Sequence, residues 1–173
     1  MSFELSVHTP EILTNLESSW LKALSEEGLI CEFHPSFSVN SWGGGLLPEK
    51  VQILKNSFPT SNKYGEDPLL AGFELDVDAY EKSVFEINET SQIEVCRFFF
   101  FRTAMRRSVI DLRLQCFAAA TLANMLNGVV IDHQAGENFT GQEALKNAER
   151  ESKEYEDFYE KNFSELALFD GWN

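Results

Sequence analysis

The sequence has few cysteines and no long apolar run. Many cysteines mark disulfide-bonded exported proteins, and long apolar runs mark membrane-spanning ones, so neither class is indicated. Three cysteines occur among 173 residues. Because they are odd in number, widely spaced and set in apolar surroundings, we expect small buried side chains of a reducing compartment rather than disulfides or metal ligands. The first residues lack the basic segment and apolar run of a signal peptide. The longest apolar stretches of the sequence are far shorter than the ~20 residues of a membrane span. We therefore predict a cytoplasmic protein.

Basic residues are also scarce. Lys and Arg number 14 against 28 Asp and Glu, which gives a formal net charge of −14. Such a field repels phosphate backbones and anionic lipids, so the composition argues against nucleic-acid and membrane-surface partners and favours a basic protein partner. The alternative interpretation is that the acidity only keeps the chain soluble.

Motifs of catalysis, cofactor binding and metal binding are missing as well. The three glycines at 43–45 lack the Lys and the Ser or Thr of a phosphate-binding P-loop. The histidines are predicted to lie apart, with His133 near the opposite end of the sheet from His8. The neighbouring Asp132 and His133 would point to opposite faces of a strand. We therefore predict a protein without catalytic residues, metal or cofactor.

What the chain does contain is enough apolar material for a single globular domain over residues 1–173. Its hydrophobic content is 43%, and phenylalanine alone contributes 15 residues. A domain of this size buries roughly 70% of the surface that its unfolded chain exposes, so it folds without metals or disulfides.

The first part of the chain predicts a strand, a helix and a second strand. Residues 3–8 alternate apolar and polar side chains, which is typical of a half-buried strand. Thr9 is then expected to cap a helix with Pro10 in its first position, and Gly28 to end it. A second strand is predicted over residues 29–37, with Pro35 placing its far end at a sheet edge or bulge.

Residues 40–92 have a different texture, rich in glycine, proline and polar residues. We expect an insertion of loops here, with a short helix near residues 50–56 and a hairpin formed by residues 70–77 and 83–87. The segment is too short and too interrupted to hold a core of its own, so we treat it as part of the same domain.

The second half repeats the order of the first. Residues 93–102 are apolar on both faces, which favours a central strand covered on both sides. A deeply buried helix over 108–127, ended by Gly128, precedes a strand at 129–132 and a final helix at about 141–163. Two split βαβ units predict an α+β ferredoxin-like plait with strand order 4-1-3-2, an insertion and an extra C-terminal helix.

Acidic residues are concentrated within the insertion. Nine acids lie between Glu66 and Glu94, against the single base Lys82. Three of them alternate with Leu75 and Val77, so a strand would place three carboxylates on one face, suited to basic side chains. We predict a partner-binding surface whose carboxylates are Glu74, Asp76, Asp78 and Glu81 and whose aromatic anchor is Trp42. The alternative is a solvated strand face.

Basic residues cluster farther along the chain, where five arginines fall between residues 97 and 113. The simplest interpretation is that they neutralise carboxylates within the protein. An alternative is an anion-binding cleft at the start of the buried helix, where free N–H groups would assist. The residues predicted for that cleft are Arg102, Arg106 and Arg107.

The segment formed by residues 122–134 and 140–148, a helix, a glycine, a strand and a helix, resembles the ending of some immunity proteins that neutralise bacterial polymorphic toxins. The resemblance implies a stoichiometric inhibitor whose carboxylates meet Lys and Arg around the active site of a basic toxin. Two other classes stay open: a small-anion-binding module or enzyme that uses the arginine-lined cleft, and a homo-oligomeric scaffold.

Overall fold

The computed structural model describes residues 2–10, 14–88, 91–104 and 108–162, which form one seven-stranded sheet and three α-helices. The strands are β1 (Ser2–Thr9), β2 (Leu29–Phe33), β3 (Gly45–Ile53), β4 (Leu69–Asn88), β5 (Ser91–Ala104), β6 (Val129–Asp132) and β7 (Glu137–Thr140). The helices are α1 (Leu16–Glu26), α2 (Val109–Met125) and α3 (Gly141–Asn162). The predicted α+β class is confirmed.

Every neighbouring pair of strands is antiparallel, in the order β2-β3-β4-β5-β1-β6-β7. The N-terminal strand lies between β5 and β6, which are the third and fourth strands predicted from the sequence. The second predicted strand, β2, lies at the far edge instead of next to β5. The sheet is thus larger than the four strands expected of two βαβ units.

The segment predicted as an insertion of loops supplies β3 and β4, which separate β2 from β5. The short helix predicted near residues 50–56 is wrong, because those residues largely continue β3. Along β3, Leu47, Glu49, Val51 and Ile53 are buried and the residues between them are not, which is the period of a strand. The predicted second strand is also shorter than expected, since β2 ends at Phe33.

The hairpin predicted within 70–87 is wrong as well, because both of its arms belong to the single strand β4. The residues between the two predicted arms form no turn, because the sheet accommodates them as an irregularity in the pairing with β5, where the register shifts between Ala79 and Ser83. An insertion of residues into one strand of an antiparallel pair bends the strand without ending it. The β4–β5 pair consequently extends beyond both β3 and β1.

Two predicted helix boundaries need correction. Thr9, expected as a cap, is the last residue of β1, and α1 begins at Leu16. After α2 the left-handed residue is Asn127, with φ of 51°, rather than Gly128. Gly128 is required for a different reason: a Cβ atom there would lie 2.6 Å from the carbonyl oxygen of His8. The glycine thus permits close packing of the helix end on β1.

Helix α2 is the centre of the core, as its mostly apolar sequence predicts. All of its residues from Val109 to Ala123 are buried. It packs on β1, β4, β5 and β6 and also against α1 and α3. The Trp20 indole N–H of α1 donates to the Ala118 carbonyl at 3.0 Å, and Arg113 pairs with Glu156 of α3 at 2.8 Å. The three helices therefore form a layer over one face of the sheet.

The opposite face of the sheet carries no helix within the described part of the chain. Strand β5 is central, as predicted, but helices cover it on one side only: Phe99 and Phe101 are fully buried beneath them, whereas Phe98 and Phe100 are half-buried on the other side. The expectation of cover on both sides is therefore not met by the helices. None of the helices among these residues is long and apolar enough to cross a bilayer.

Candidate functional site

The helix-free side of the central strands gathers most of the residues that the sequence singled out. Side chains alternate between the two faces along a strand. The residues next to buried positions such as Leu75 and Phe99 therefore point to the helix-free side. The strand registers place them in three cross-strand rows: Glu74–Arg102–Glu4, Asp76–Phe100–Ser6 and Asp78–Phe98–His8. We call these nine residues the open face.

The first row is an ion-pair row. The Arg102 guanidinium donates from Nε to Oε2 of Glu74 at 2.6 Å. This hydrogen bond and the charge of Glu74 raise the pKa of Arg102, and the carboxylates of Glu4 and Asp76 add to the effect. Arg102, predicted as part of an anion-binding cleft, is thus already bound to a carboxylate. The other two predicted members of that cleft, Arg106 and Arg107, lie outside the described residues.

The second and third rows each place a carboxylate opposite an aromatic ring. Asp76 is the cross-strand partner of Phe100, and Asp78 is the partner of Phe98. Both carboxylates are exposed, and the two rings are half-buried and stacked, with centroids 6.0 Å apart and planes inclined by 22°. Among the residues that the structure covers, neither aspartate has a Lys, Arg or His within salt-bridge distance.

The remaining two residues of the predicted partner surface are placed differently. Trp42 is half-buried: its indole N–H donates to the Leu75 carbonyl at 2.8 Å and its ring packs at 5.2 Å on Phe37. It supports the β3–β4 end of the sheet rather than projecting as an anchor. Glu81 is exposed in the irregular part of β4, beyond the third row of the open face.

A histidine cluster, which the sequence did not predict, includes Ser6 of the second row and His8 of the third. The hydroxyl of Ser6 is 3.0 Å from Nε2 of His133 and 3.4 Å from Nε2 of His8, whose Nδ1 is 3.0 Å from the Tyr80 hydroxyl. Phe85 stacks on the His8 ring with centroids 5.3 Å apart. The prediction that His8 and His133 stay apart is therefore wrong.

The reason is the register of β6 on β1. The two histidines do lie toward opposite ends of this pairing, as antiparallel strands require, but the pairing is only four residues long. The Ser6 side chain lies between them and spans the remaining distance. Burial, and then the proximity of His133, lower the pKa of His8, so its ring favours the neutral form.

The burial of Ser6 argues against catalysis by this cluster. A serine beside a histidine is a nucleophile only where a substrate reaches the hydroxyl, and Ser6 is fully buried. The described residues also contain no group of three or more His, Cys, Asp or Glu arranged to hold a metal ion. The cluster instead connects β1, β4 and β6 on the side of the sheet that carries the open face.

A separate concavity of about 230 Å³ lies among α1, α2, α3 and the loop after β3. Its lining combines Arg113 and Lys146 with Glu27 and Glu149. The Arg113 guanidinium lies 3.7 Å above the Phe58 ring and is already paired with a buried carboxylate of α3. Burial, then the charges of Glu149 and Glu26, raise the pKa of Glu27. Such a balanced lining gives no preference for an anion.

A carboxyl group of β3 lies in the core without an ion-pair partner among the described residues. Glu49 of β3 is fully buried, and neither of its oxygens accepts a hydrogen bond of ordinary geometry from the described residues. Burial raises its pKa from 4.5 to about 8, and interaction with the Cys31 thiol offsets only part of this. The same burial, together with Glu49, raises the pKa of Cys31 well above its ordinary value. Glu49 is therefore largely protonated at neutral pH.

Comparisons with known proteins do not assign a family. No protein-family model matches the sequence, and no curated protein matches it significantly.

Proposed function

We propose that this chain is a non-catalytic acidic binding protein that neutralises a basic toxin by one-to-one association, as immunity proteins of bacterial polymorphic toxins do. The observation that carries the proposal is the pair of exposed aspartates, Asp76 and Asp78, each opposite a half-buried phenylalanine on a helix-free sheet face. Aromatic residues are enriched at the centres of protein interfaces, and charged residues steer association at their rims.

The charge of the whole chain supports the same function. A net charge of −14 attracts a basic protein over the Debye length, ~8 Å at physiological salt, and accelerates encounter. Once docked, the body of the domain would block the toxin's active site sterically, and no catalytic group is needed for that. We place the protein in the cytoplasm of a bacterium that makes the toxin.

The fold is compatible with this proposal in a specific way. We propose that the sheet is a ferredoxin-like plait enlarged by β3 and β4, since β6, β1 and β5 occur in the order that the plait requires and β2 follows beyond the added strands. The enlargement brings β4, with its aspartates, to the side of β5. The acidic surface is therefore the product of the added strands.

The test is capture of a partner by the tagged protein from its native host, or from cells that express the adjacent gene. We expect one basic protein in a one-to-one complex that salt loosens, and expression of that protein alone should stop growth unless this chain is present. Sedimentation of the free protein measures whether it self-associates instead. A captured protein whose toxicity this chain does not relieve would contradict the proposal.

Charge reversal locates the surface. The variant Asp76→Lys/Asp78→Lys should weaken the complex strongly and leave the far-ultraviolet circular dichroism unchanged. The matched control is Glu143→Lys/Glu154→Lys, which changes the net charge equally at exposed positions on α3. Equal weakening by both pairs would mean that total charge, and not the open face, determines binding.

A further inference from the structure

The rows of the open face differ in one respect that bears on the partner. In the first row, Arg102 pairs with Glu74 across the strands. In the second and third rows a phenylalanine occupies the position of that arginine, so that the cross-strand partner of Asp76 and of Asp78 is an aromatic residue instead of an arginine. These two rows contain a carboxylate and a π-surface and lack the cation that both attract.

The same protein contains the completed arrangement in its interior. The Arg113 guanidinium lies 3.7 Å above the centroid of Phe58 while its Nε donates to Oε1 of Glu156 at 2.8 Å. One guanidinium can therefore use its flat side for a ring and its edge for a carboxylate. The second and third rows present these two surfaces side by side at the protein surface.

We propose that the partner inserts two arginine side chains into these rows, one over Phe100 beside Asp76 and one over Phe98 beside Asp78. The inference rests on the proposed function and specifies the chemistry of its partner. Arginine is favoured over lysine because its planar guanidinium stacks on aromatic rings and forks onto carboxylates, whereas lysine is a strongly hydrated point charge.

The spacing of the rows restricts how the arginines are arranged. Asp76 and Asp78 are two residues apart on one strand, a separation of about 6.6 to 6.8 Å. Alternate side chains of an extended segment have the same spacing and point to the same side. The partner segment is therefore an extended strand or loop with the pattern Arg-X-Arg.

The test uses short blocked peptides that contain Arg-X-Arg or Lys-X-Lys in otherwise identical sequences, titrated into the isotopically labelled protein at low salt. We expect the arginine peptide to shift the backbone signals of Asp76, Asp78, Phe98 and Phe100. Cation–π contacts at exposed sites correspond to a factor of about two to five in affinity per row, so the lysine peptide should bind several-fold more weakly.

Two double variants separate the contributions of ring and carboxylate. Phe98→Leu/Phe100→Leu keeps the apolar surface and should reduce binding of the arginine peptide to the level of the lysine peptide. Asp76→Asn/Asp78→Asn should weaken both peptides, and its matched control is Glu143→Gln/Glu154→Gln on α3. Equal binding of both peptides, unaffected by the phenylalanine change, would overturn the inference.

Failure of this inference is distinguishable from failure of the proposed function. A captured toxin that needs the aspartates but binds equally well after the phenylalanine change overturns the arginine rows and leaves the inhibitor. Selective binding of the arginine peptide without any toxin supports the rows and contradicts the inhibitor. Self-association that the Asp76→Lys/Asp78→Lys change abolishes would make a second copy of the chain the occupant, and the inference would be wrong.

Discussion

Replacement of Glu49 by glutamine should stabilise the protein in a strongly pH-dependent way. The carboxyl group is fully buried on β3 and has a pKa of about 8 in the folded state, against 4.5 for the solvated group. Glutamine has nearly the same size and shape and cannot ionise. The substitution therefore removes the cost of a buried charge and leaves the packing almost unchanged.

The size of the effect follows from the two pKa values. The folded protein holds this proton more tightly than the unfolded chain does, so the stabilisation is fully present below pH 4.5 and is lost as the pH rises toward about 8. The loss amounts to ~1.4 kcal/mol per pH unit within that window and levels off above it. Between pH 5 and pH 8 the wild-type protein should lose about 3 to 4 kcal/mol through this one group.

The assay is urea denaturation at several pH values from 5 to 8, followed by tryptophan fluorescence, to which the buried Trp20 contributes. We expect the advantage of Glu49→Gln over the wild type to increase by about 3 to 4 kcal/mol across this range. The control is Glu32→Gln on β2, whose side chain is 64% exposed and pairs loosely with Lys50 at 3.6 Å. Its effect should be small at every pH.

A constant difference between Glu49→Gln and the wild type from pH 5 to pH 8 would refute the reasoning. It would mean that water or another group reaches the Glu49 carboxyl in the folded state and that ionisation carries no special cost. A variant less stable than the wild type at pH 8 would be stronger contradiction, because it would imply that the charged form of Glu49 is favoured by the fold.

Three further predictions concern other polar groups within the fold. His8 should titrate below pH 6.5 in a two-dimensional NMR titration, and His133→Gln should raise its pKa without restoring 6.5, because burial is the larger cause; a value at or above 6.5 in the wild type would contradict this. Arg113→Met should cost about 3 to 5 kcal/mol in urea denaturation by leaving Glu156 charged and buried, and adding Glu156→Leu should recover much of the loss. Asp111→Ala should lower the free energy of unfolding by about 2 to 4 kcal/mol in the same assay. The reason is that this side chain accepts two buried backbone hydrogen bonds, one of them in the capping box of α2. A loss below about 0.5 kcal/mol would show that the cap matters little.

Periodicity predicted the elements in which apolar residues recur regularly along the whole segment. The first strand, α2, β6 and α3 could be placed from their patterns of two and of three or four residues. Periodicity failed for β3 because the side chains that point into the core there include the carboxyl group of Glu49. Pro48 also interrupts the sequence pattern of a strand, although β3 continues through it. Periodicity failed for β4 because it indicated two arms of a hairpin, whereas the sheet accommodates the residues between them as an irregularity.

The candidate site was predictable only where it depends on one strand. The alternation of Glu74, Asp76 and Asp78 is visible in the sequence, and the structure places all three on one side of the sheet. Their aromatic partners and the contact of His8 with His133 depend on which strands are neighbours and in what register. Nothing local in the sequence determines those pairings, so the rows could not be derived from it.

The position of β1 at the middle of the sheet bears on how the chain folds during its synthesis. Its neighbours are made much later: Ser2 pairs with Ala104 and Leu5 lies opposite Asp132, about one hundred residues or more later in the chain. Pairing of strands so far apart in the chain is slow, because the entropy of closing the long loop is lost before the new contacts stabilise it. The apolar side of β1 therefore stays unpaired until β5 and β6 have left the ribosome, and during this interval it is exposed to chaperones and to aggregation.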